Sequence, residues 1–529
     1  MIRNLISLLV TIIIGAIIYY FTLPALNVHS LGFWIYLIVL LAIYFLSLLS
    51  LSIDSRGNLV RSVKVLGGTM IAVLTIVIGI IIIDIALSPV FQSKSYSKRI
   101  VVNEGEEFVK NVAPVDFNSI PLLDKASSQK LGDRVMGQMP ELVSQFYVSD
   151  LYTQINYNDT IIRVTPLEYN GFFKYLSNKD TGVKGYITVN SVTGESKLVK
   201  LDKGMKYVSS AIFSKDLDRH LRFNYPTKIF GDKTFEIDND GNPYWIIPTI
   251  KYSGVGLKKD ISSVIILSPI TGDSKEYKLE EVPTWVDHVY SADLIIEQVD
   301  DWGQYKKGFL NSIFGQKNVV QTTEGYNYTT MNDDVYLYTG ITSVSSDESN
   351  IGFILTNMRT KETNFYAVPG AEEYSAMDSA KGQVQQMNYE STFPLLINLN
   401  NRATYLMSLK DAAGLVKMYA FVDVEDYQKV VITDSAKGIK VAAENYLNNV
   451  ELEVNTENTN KKEIEISSIN QVNIDGTSYY YIKDKEGKKY TASIKINRNV
   501  LPFLKEGSTV SVSYNLEKEV TEIVSIEEK

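Results

Sequence analysis

Few side chains in this chain have the type and spacing that chemistry requires. The 529 residues include three histidines, His29, His220 and His288, and no cysteine. The lack of cysteine excludes disulfides, thiolate metal sites and cysteine nucleophiles. The histidines are widely separated, which favours surface or packing roles over a shared metal ion. The chain also has no phosphate-binding loop, nucleophile elbow or zinc-peptidase motif.

Two pairs of adjacent acidic residues are the remaining candidates for catalysis. Asp347-Glu348 and Glu372-Glu373 could supply the two carboxylates of a glycoside hydrolase. Adjacent side chains point in different directions on a strand or helix, which favours solvated faces. We instead predict that these four acids, with Tyr374, form a surface for a partner. We predict no catalytic residue, cofactor or metal, and a cell-wall hydrolase with paired carboxylates stays as the alternative.

A third acidic segment, Asp238-Asn-Asp-Gly-Asn-Pro243, has the beginning of a calcium-binding loop. Such a loop needs glycine at its sixth position and an acid at its twelfth. This chain has Pro243 and Thr249 at those positions. The segment is therefore predicted to be a hairpin turn.

Three apolar stretches near the N-terminus predict a membrane anchor over residues 1–93. They cover about 5–21, 31–51 and 66–87, and each is close to the roughly 20 residues that a spanning helix needs. The link after the second stretch contains Arg56, Arg61 and Lys64, whereas the first link has no Lys or Arg. Positive residues stay on the cytoplasmic side. We therefore expect a multi-pass cell-membrane protein with a cytoplasmic N-terminus and a large extracytoplasmic C-terminal region.

The composition of the outer region narrows the classes of partner. The net charge is −9; residues 1–93 contribute +2, so the remainder of the chain carries −11. Such a domain is poorly suited to nucleic acid, whose affinity for proteins depends on positive side chains. The 34 tyrosines and many β-branched residues favour strands. The absence of cysteine, together with abundant Lys, Asn, Ile and Tyr, suggests a low-GC Gram-positive bacterium.

An internal repeat organises the outer region. Tyr186–Leu201 matches Val264–Leu279, and each copy is a strand, a Thr-Gly-acid turn and a second strand. Weaker copies occur at Gly352–Val368 and Tyr405–Val422. Repetition of this kind indicates duplicated modules. We predict a linker over 94–125, a repeat pair over 126–300 and further α+β repeats over 301–450.

The repeated hairpin, together with Pro243-Tyr-Trp-Ile-Ile-Pro248, resembles the PepSY module. That resemblance implies a helix coupled to an antiparallel sheet, and a role in inhibiting or holding a protein partner. Four longer strings also carry a resemblance: Gln154–Tyr157, Arg163–Tyr169, Asp347–Gly352 and Gly370–Ala376. They resemble a family of uncharacterised Gram-positive three-span membrane proteins with a large outer domain. That resemblance implies an architecture and no particular activity.

The C-terminal part is predicted to be a separate all-β domain. A polar linker over 451–460 precedes five strand-like runs in 461–529, which resemble a small OB-like barrel. The whole pattern predicts a membrane-anchored scaffold or binding protein. It would engage a protein or peptide of the envelope through exposed sheet edges. Self-association of the chain stays open, because the small-residue helix predicted over 371–386 permits packing either inside the domain or against a partner.

Overall fold

Three long helices form the N-terminal part of the protein. The computed structural model describes residues 2–52, 60–344, 346–454, 460–474, 477–494, 496–514 and 520–528. The helices are α1 (Ile2–Thr22), α2 (Leu31–Ser52) and α3 (Val60–Leu87). Each is long and apolar enough to cross a membrane, so the three predicted spans are confirmed as helices. Arg56, which contributes to the predicted orientation, lies outside the described residues.

The segment predicted as a linker, 94–125, is built into the folded domain. It contains the end of α4 (Pro89–Tyr96), then β1 (Val102–Glu106) and α5 (Phe108–Asn111). Strand β1 pairs in parallel with Thr363–Tyr366, which belongs to a later sheet. The guanidinium of Arg99 also forms an ion pair with Glu297, at 2.7 Å. The chain therefore returns to the domain directly after leaving the membrane helices.

Four copies of one unit, a helix followed by an antiparallel sheet, occupy residues 125–428. Module 1 comprises α6 (Lys125–Gly137), α7 (Pro140–Val143), β2 (Phe146–Val148), β3 (Thr153–Tyr157), β4 (Thr160–Tyr169), α8 (Phe172–Asn178), β5 (Val183–Asn190) and β6 (Ser196–Met205). Module 2 comprises α9 (Leu217–Asn224), β7 (Ile229–Phe230), β8 (Thr234–Ile237), β9 (Pro243–Ser253), β10 (Leu257–Leu267) and β11 (Ser274–Tyr277). Module 3 comprises α10 (Ala292–Tyr305), β12 (Val320–Thr322), β13 (Asn327–Met331), β14 (Asp334–Ser343), β15 (Ser346–Asn357) and β16 (Thr363–Tyr366). After the short β17 (Gly370–Ala371), module 4 comprises α11 (Glu373–Gly382), β18 (Glu390–Ser391), β19 (Leu395–Leu399), β20 (Arg402–Lys410) and β21 (Val416–Asp423).

The modules share one strand order. In each, the first and second strands both pair with the third, and the third pairs with the fourth. The matched segments Tyr186–Leu201 and Val264–Leu279 are the last hairpins of modules 1 and 2, and both are antiparallel as predicted. The third match, Gly352–Val368, holds the equivalent hairpin of module 3. The fourth, Tyr405–Val422, is displaced by one strand, because it joins the third and fourth strands of module 4.

A short polar side chain closes the same turn in each module. The Oδ1 atoms of Asn190, Asn357 and Asp423 each accept a hydrogen bond from the backbone N–H three residues later, at 2.8–3.0 Å. In module 2 the hydroxyl of Ser268 accepts from Thr271 N at 3.4 Å. Such side chains mimic a backbone turn. This shared capping position marks the repeat in all four copies, including modules 3 and 4, whose turns lack the Thr-Gly pair.

Neighbouring modules share their hydrophobic cores. One core cluster combines residues of modules 1 and 2, among them Tyr186, Ile187, Phe235 and Trp245. A second cluster combines residues of modules 2 and 3. In module 1 the sequence predicts a helix over 126–146 that Pro140 should kink or split. The structure has α6 ending at Gly137 and α7 beginning at Pro140, because proline cannot continue the helical hydrogen bonds. Shared cores fix the relative positions of modules 1, 2 and 3.

Residues Lys429–Lys529 form a second compact unit. It contains β22 (Val430–Asp434), α12 (Ile439–Val454), β23 (Asn460–Ile474), β24 (Thr477–Asp484), β25 (Lys489–Ser493), β26 (Thr509–Tyr514), β27 (Val520–Glu522) and β28 (Ser525–Glu528). Strands β23–β28 make a six-stranded half-barrel around buried Ile466, Tyr490 and Val512. The five predicted strands are therefore present, with the last one divided in two. Helix α12 extends into the predicted linker 451–460, of which 455–459 lie outside the described residues.

Candidate binding groove

A groove of about 780 Å³ lies over one face of the module 1 sheet, beside module 2. Its floor is made by alternate residues of β4, β5 and β6, since side chains alternate between the two faces along a strand. The opposite face of this sheet is covered by α6, where Gly132 allows close contact with Tyr152 and Ile187. The groove therefore lies over the other face of the sheet, part of which already packs against module 2 through Tyr186 and Phe235. The main floor residues are Ile162, Tyr186, Thr188, Val199 and Leu201.

The turn between β8 and β9 forms a wall of this groove. The hydroxyl of Tyr186 donates to the carbonyl oxygen of Gly241 at 2.8 Å, which ties the turn to the module 1 sheet. Gly241 has a φ of +82°, a conformation that glycine adopts without strain. The carboxylate of Asp238 accepts from the backbone N–H of Asn242 at 2.8 Å. The predicted hairpin turn is thus confirmed, and its first acid serves the turn itself.

The outer border of the groove is the edge strand β6. Among the described residues, β6 pairs in the sheet with β5 alone, so its other edge is open. Three lysines and one aspartate point from this strand into or around the groove: Lys197, Lys200, Asp202 and Lys203. An open edge presents a row of N–H and C=O groups that can pair with another chain. The site thus combines an apolar floor, a polar wall and a strand with one open edge.

The three histidines lie in three different places. His29 Nδ1 donates to the Gly254 carbonyl at 2.7 Å, His220 Nε2 to that of Gly272 at 2.8 Å, and His288 Nε2 to that of Gln154 at 2.6 Å. Each ring therefore joins two segments of chain through a backbone carbonyl. Within the described residues, no group of three or more His, Asp or Glu side chains could hold a metal ion.

A pair of buried acids, Glu236 and Asp287, lies away from the groove, under the junction of modules 1, 2 and 3. The Glu236 carboxylate accepts from the backbone N–H groups of Asp287 at 2.8 Å and His288 at 3.2 Å. Asp287 Oδ2 accepts from Asn156 N at 2.7 Å. Burial raises the pKa of both carboxyl groups, and the neighbouring Glu236 raises the pKa of Asp287 further. Both side chains are buried, so they brace strands and do not face a substrate.

The residues predicted to form a partner surface differ in their exposure. Glu373 is 0% exposed, and its carboxylate accepts from the hydroxyl of Thr323 at 3.0 Å. Burial raises the pKa of this carboxyl group. Tyr374 is exposed, and Glu372 is half-buried at the start of α11. Asp347 and Glu348 lie in β15, and their side chains are outside the described part of the structure.

The groove residues had a weak signal in the sequence. The matched hairpins locate β5 and β6, but alternation along a strand does not tell which face stays open. The wall depends on a contact between Tyr186 and Gly241, which are far apart in the chain.

Two comparisons with known proteins do not indicate a function for the groove. No protein-family model matches this chain, and no curated protein matches it.

Proposed function

We propose that this protein is a membrane-anchored scaffold of the bacterial cell envelope that binds an extended segment of a protein or peptide partner. The observation that carries this proposal is the groove of about 780 Å³ beside the open edge of β6. A partner strand would add to β6 through main-chain hydrogen bonds. Alternate side chains of that strand would then lie next to Val199 and Leu201. The resemblance to the PepSY module, with its role in holding a partner, points to the same class of function.

The charges on β6 define the chemistry of the proposed partner. Three of the four charged residues on this strand are lysines, although the outer region as a whole is acidic. Opposite charges directly across a strand pair are favourable, and like charges are not. The segment that adds to β6 is therefore acidic with alternating apolar residues. Lysines on an edge strand also keep two copies of one chain from pairing edge to edge.

A short peptide of alternating glutamate and valine is the probe for this site. We expect it to bind the full chain in nanodiscs, and the same peptide with alternate N-methylated residues to lose that binding. Changing Leu201→Asp should weaken binding by about tenfold or more, equivalent to about 1.4 kcal/mol. The new carboxylate repels the glutamates of the peptide and loses part of its hydration in the apolar floor. Isothermal titration calorimetry measures both effects.

The matched control for this test is Leu415→Asp, an exposed leucine in module 4 that does not line the groove. This variant should bind the peptide as the parent chain does. Equal binding of the plain and N-methylated peptides would contradict strand addition. Equal losses from Leu201→Asp and Leu415→Asp would contradict the groove as the site.

We also propose that the modules lie outside the cytoplasmic membrane. The link between α1 and α2 contacts module 2, since Leu26 N donates to the Pro226 carbonyl at 2.8 Å. The outer end of α3 contacts it as well, through Asp84 and Val255 N at 2.9 Å. One side of the membrane therefore holds both the first link and the modules, as three crossings require. The positive residues of the second link support an outer location of the modules, since positive residues stay on the cytoplasmic side.

Orientation can be measured by labelling single cysteines, because the chain has none of its own. Tyr374→Cys, on an exposed side chain, should react with an impermeant maleimide on intact protoplasts. Asn4→Cys, at the other end of α1, should react only after the cells are opened. The reverse pattern of labelling would refute the proposed orientation.

A further inference from the structure

An exposed aromatic patch lies beside the outer end of α1. It consists of four phenylalanines from α8, from α9 and from the turn before α9: Phe172, Phe173, Phe213 and Phe223. Phe173 is 77% exposed, Phe213 is 53% exposed and Phe223 is 56% exposed. Exposed apolar side chains that cluster in this way mark interaction sites. None of the four lines the groove over module 1.

Helix α9 fixes this patch to the end of the first membrane helix. Arg219 Nε donates to the Tyr20 carbonyl at 3.3 Å, and Arg222 Nε donates to the Leu23 carbonyl at 3.0 Å. These bonds satisfy carbonyl groups that a helix end leaves without partners. The Phe223 ring packs edge-on against Tyr19 with a centroid distance of 5.9 Å. The patch therefore begins where α1 leaves the apolar part of the membrane.

A second contact sets the height of module 2 above the membrane. The turn between β9 and β10 reaches α3, where Asp84, three residues before the helix ends, accepts from Val255 N at 2.9 Å. Val255 also lines an apolar groove between α2 and α3. The turn thus dips below the ends of the membrane helices. With α9 seated on α1 at the same time, the adjoining surface of modules 1 and 2 is held beside the ends of α1 and α3.

The backbone at Phe213 is strained in a way that presents its side chain outwards. Phe213 has a φ of +57°, which is rare for a bulky residue. Its carbonyl accepts from Arg219 Nη1 at 2.7 Å, so the same arginine that seats α9 on α1 holds this conformation. Helix α8 is fixed beside it, because the Tyr175 hydroxyl donates to the Ile212 carbonyl at 2.8 Å. Strain of this kind persists where the surrounding structure and function require it.

We propose that Phe172, Phe173, Phe213 and Phe223 form an interfacial foot that inserts into the outer leaflet of the membrane beside α1. The occupant of this surface is the lipid bilayer itself, because the patch is continuous with the end of a spanning helix. Aromatic rings are the side chains that concentrate at such interfaces. Lys174 on α8 and Lys179 directly after this helix supply positive charge for lipid phosphates. The foot would hold the modules against the membrane and fix the direction in which the groove opens.

A fluorescent label on a single cysteine tests this proposal in the full chain, reconstituted in phosphatidylcholine nanodiscs. Phe173→Cys carries the label, and Tyr374→Cys in module 4 is the matched exposed aromatic control. We expect nitroxide lipids labelled near the headgroup to quench the Phe173 label at least about twice as strongly as the control, since interfacial side chains bury about 5–10 Å into this region. Aqueous iodide should show the opposite preference. Phe223→Cys repeats the measurement from α9.

Two results would overturn the foot. In one, the labels at positions 173 and 223 are quenched by iodide as strongly as the control and not by nitroxide lipids. In the other, they are shielded from both quenchers, which would mean that protein covers the patch. The substitution at Phe173 removes an exposed side chain and leaves the core intact, so thermal unfolding should match that of the parent chain.

Discussion

Replacing Trp245 with alanine is expected to destabilise the modules by about 3–5 kcal/mol, the usual range for a buried tryptophan. Trp245 is 1% exposed and lies on β9 in the core shared by modules 1 and 2. Its ring packs edge-on against Phe235 with a centroid distance of 5.3 Å. Its indole N–H donates at 2.9 Å to the carbonyl of Tyr207, which lies in the segment that joins modules 1 and 2. The loss should therefore weaken both modules together.

Urea unfolding of the full chain, followed by circular dichroism, measures this loss. Trp245→Phe should be less harmful, since it keeps an aromatic ring in the core. Its expected cost is about 1–3 kcal/mol, because the Tyr207 carbonyl loses its hydrogen-bond donor. Trp285→Ala is the control for removing a tryptophan, because Trp285 is only partly buried at the edge of the second core. Separate unfolding transitions for modules 1 and 2 in the Trp245→Ala variant would contradict a shared core.

The parts of the fold that the sequence predicted are those with a local physical cause. Long apolar runs can only be satisfied in a membrane or a large core, and all three are helices. Pro140 lacks the N–H that a continuous helix needs, and the helix is divided there. Thr-Gly-acid turns between alternating strands locate the last hairpins of modules 1 and 2. Each of these signals comes from residues that are close together in the sequence.

The predicted match in module 4 lies one strand too early, because the feature that the four turns share is a short polar cap and not a glycine. The equivalent turn is closed by the side chain of Asp423, as Asn190 and Asn357 close theirs. The glycine in the matched segment Tyr405–Val422 is Gly414, which lies in the turn of the preceding hairpin, between β20 and β21. Any short polar residue can cap such a turn. A pattern built on glycine therefore misses a turn that is held by an aspartate.

The burial of Glu373 could not be read from its neighbours in the chain. An adjacent pair of acids at the start of a helix normally faces water. The next residue, Tyr374, is indeed exposed. Glu373 is accommodated because Gly340 leaves room opposite its carboxylate and because Thr323 donates to it. Both of these residues belong to module 3. Long-range packing of this kind decides which of several equivalent polar residues is buried, and it equally decides which face of module 1 stays open as a groove.

The buried acids Glu236 and Asp287 predict a dependence of stability on pH. The groups facing Asp287 are acidic on three sides: Glu236 on β8, and Asp333 and Asp334 from the turn into β14. Arg359 lies nearby and pairs with Asp334 at 2.7 Å. Burial and Glu236 both raise the pKa of Asp287 well above 3.8, its ordinary value. The folded protein therefore binds a proton at Asp287 over a pH range in which the unfolded chain has lost it.

The sign of the effect follows from this difference in bound protons. Stability falls with rising pH wherever the folded state binds more protons than the unfolded state. The contribution of Asp287 is complete below its unfolded pKa and is lost as the pH rises through the folded value. Each unit of difference between the two pKa values is worth about 1.4 kcal/mol. We expect the free energy of unfolding to decrease as the pH rises above about 3.8 and through the raised pKa of Asp287 in the folded protein.

Asp287→Asn should remove most of this slope, because an amide oxygen can still accept from Asn156 N without carrying a charge. Urea unfolding of the full chain at several pH values, followed by tryptophan fluorescence, gives the slope for both proteins. Asp378→Asn, which removes an exposed carboxylate on α11, is the matched control and should leave the slope unchanged. A parent chain whose stability rises with pH over this range, or an Asp287→Asn variant with an undiminished slope, would show that the buried pair stays ionised when folded. A pair that holds a proton, by contrast, allows strands of modules 1, 2 and 3 to meet around acids without leaving adjacent charges in the core.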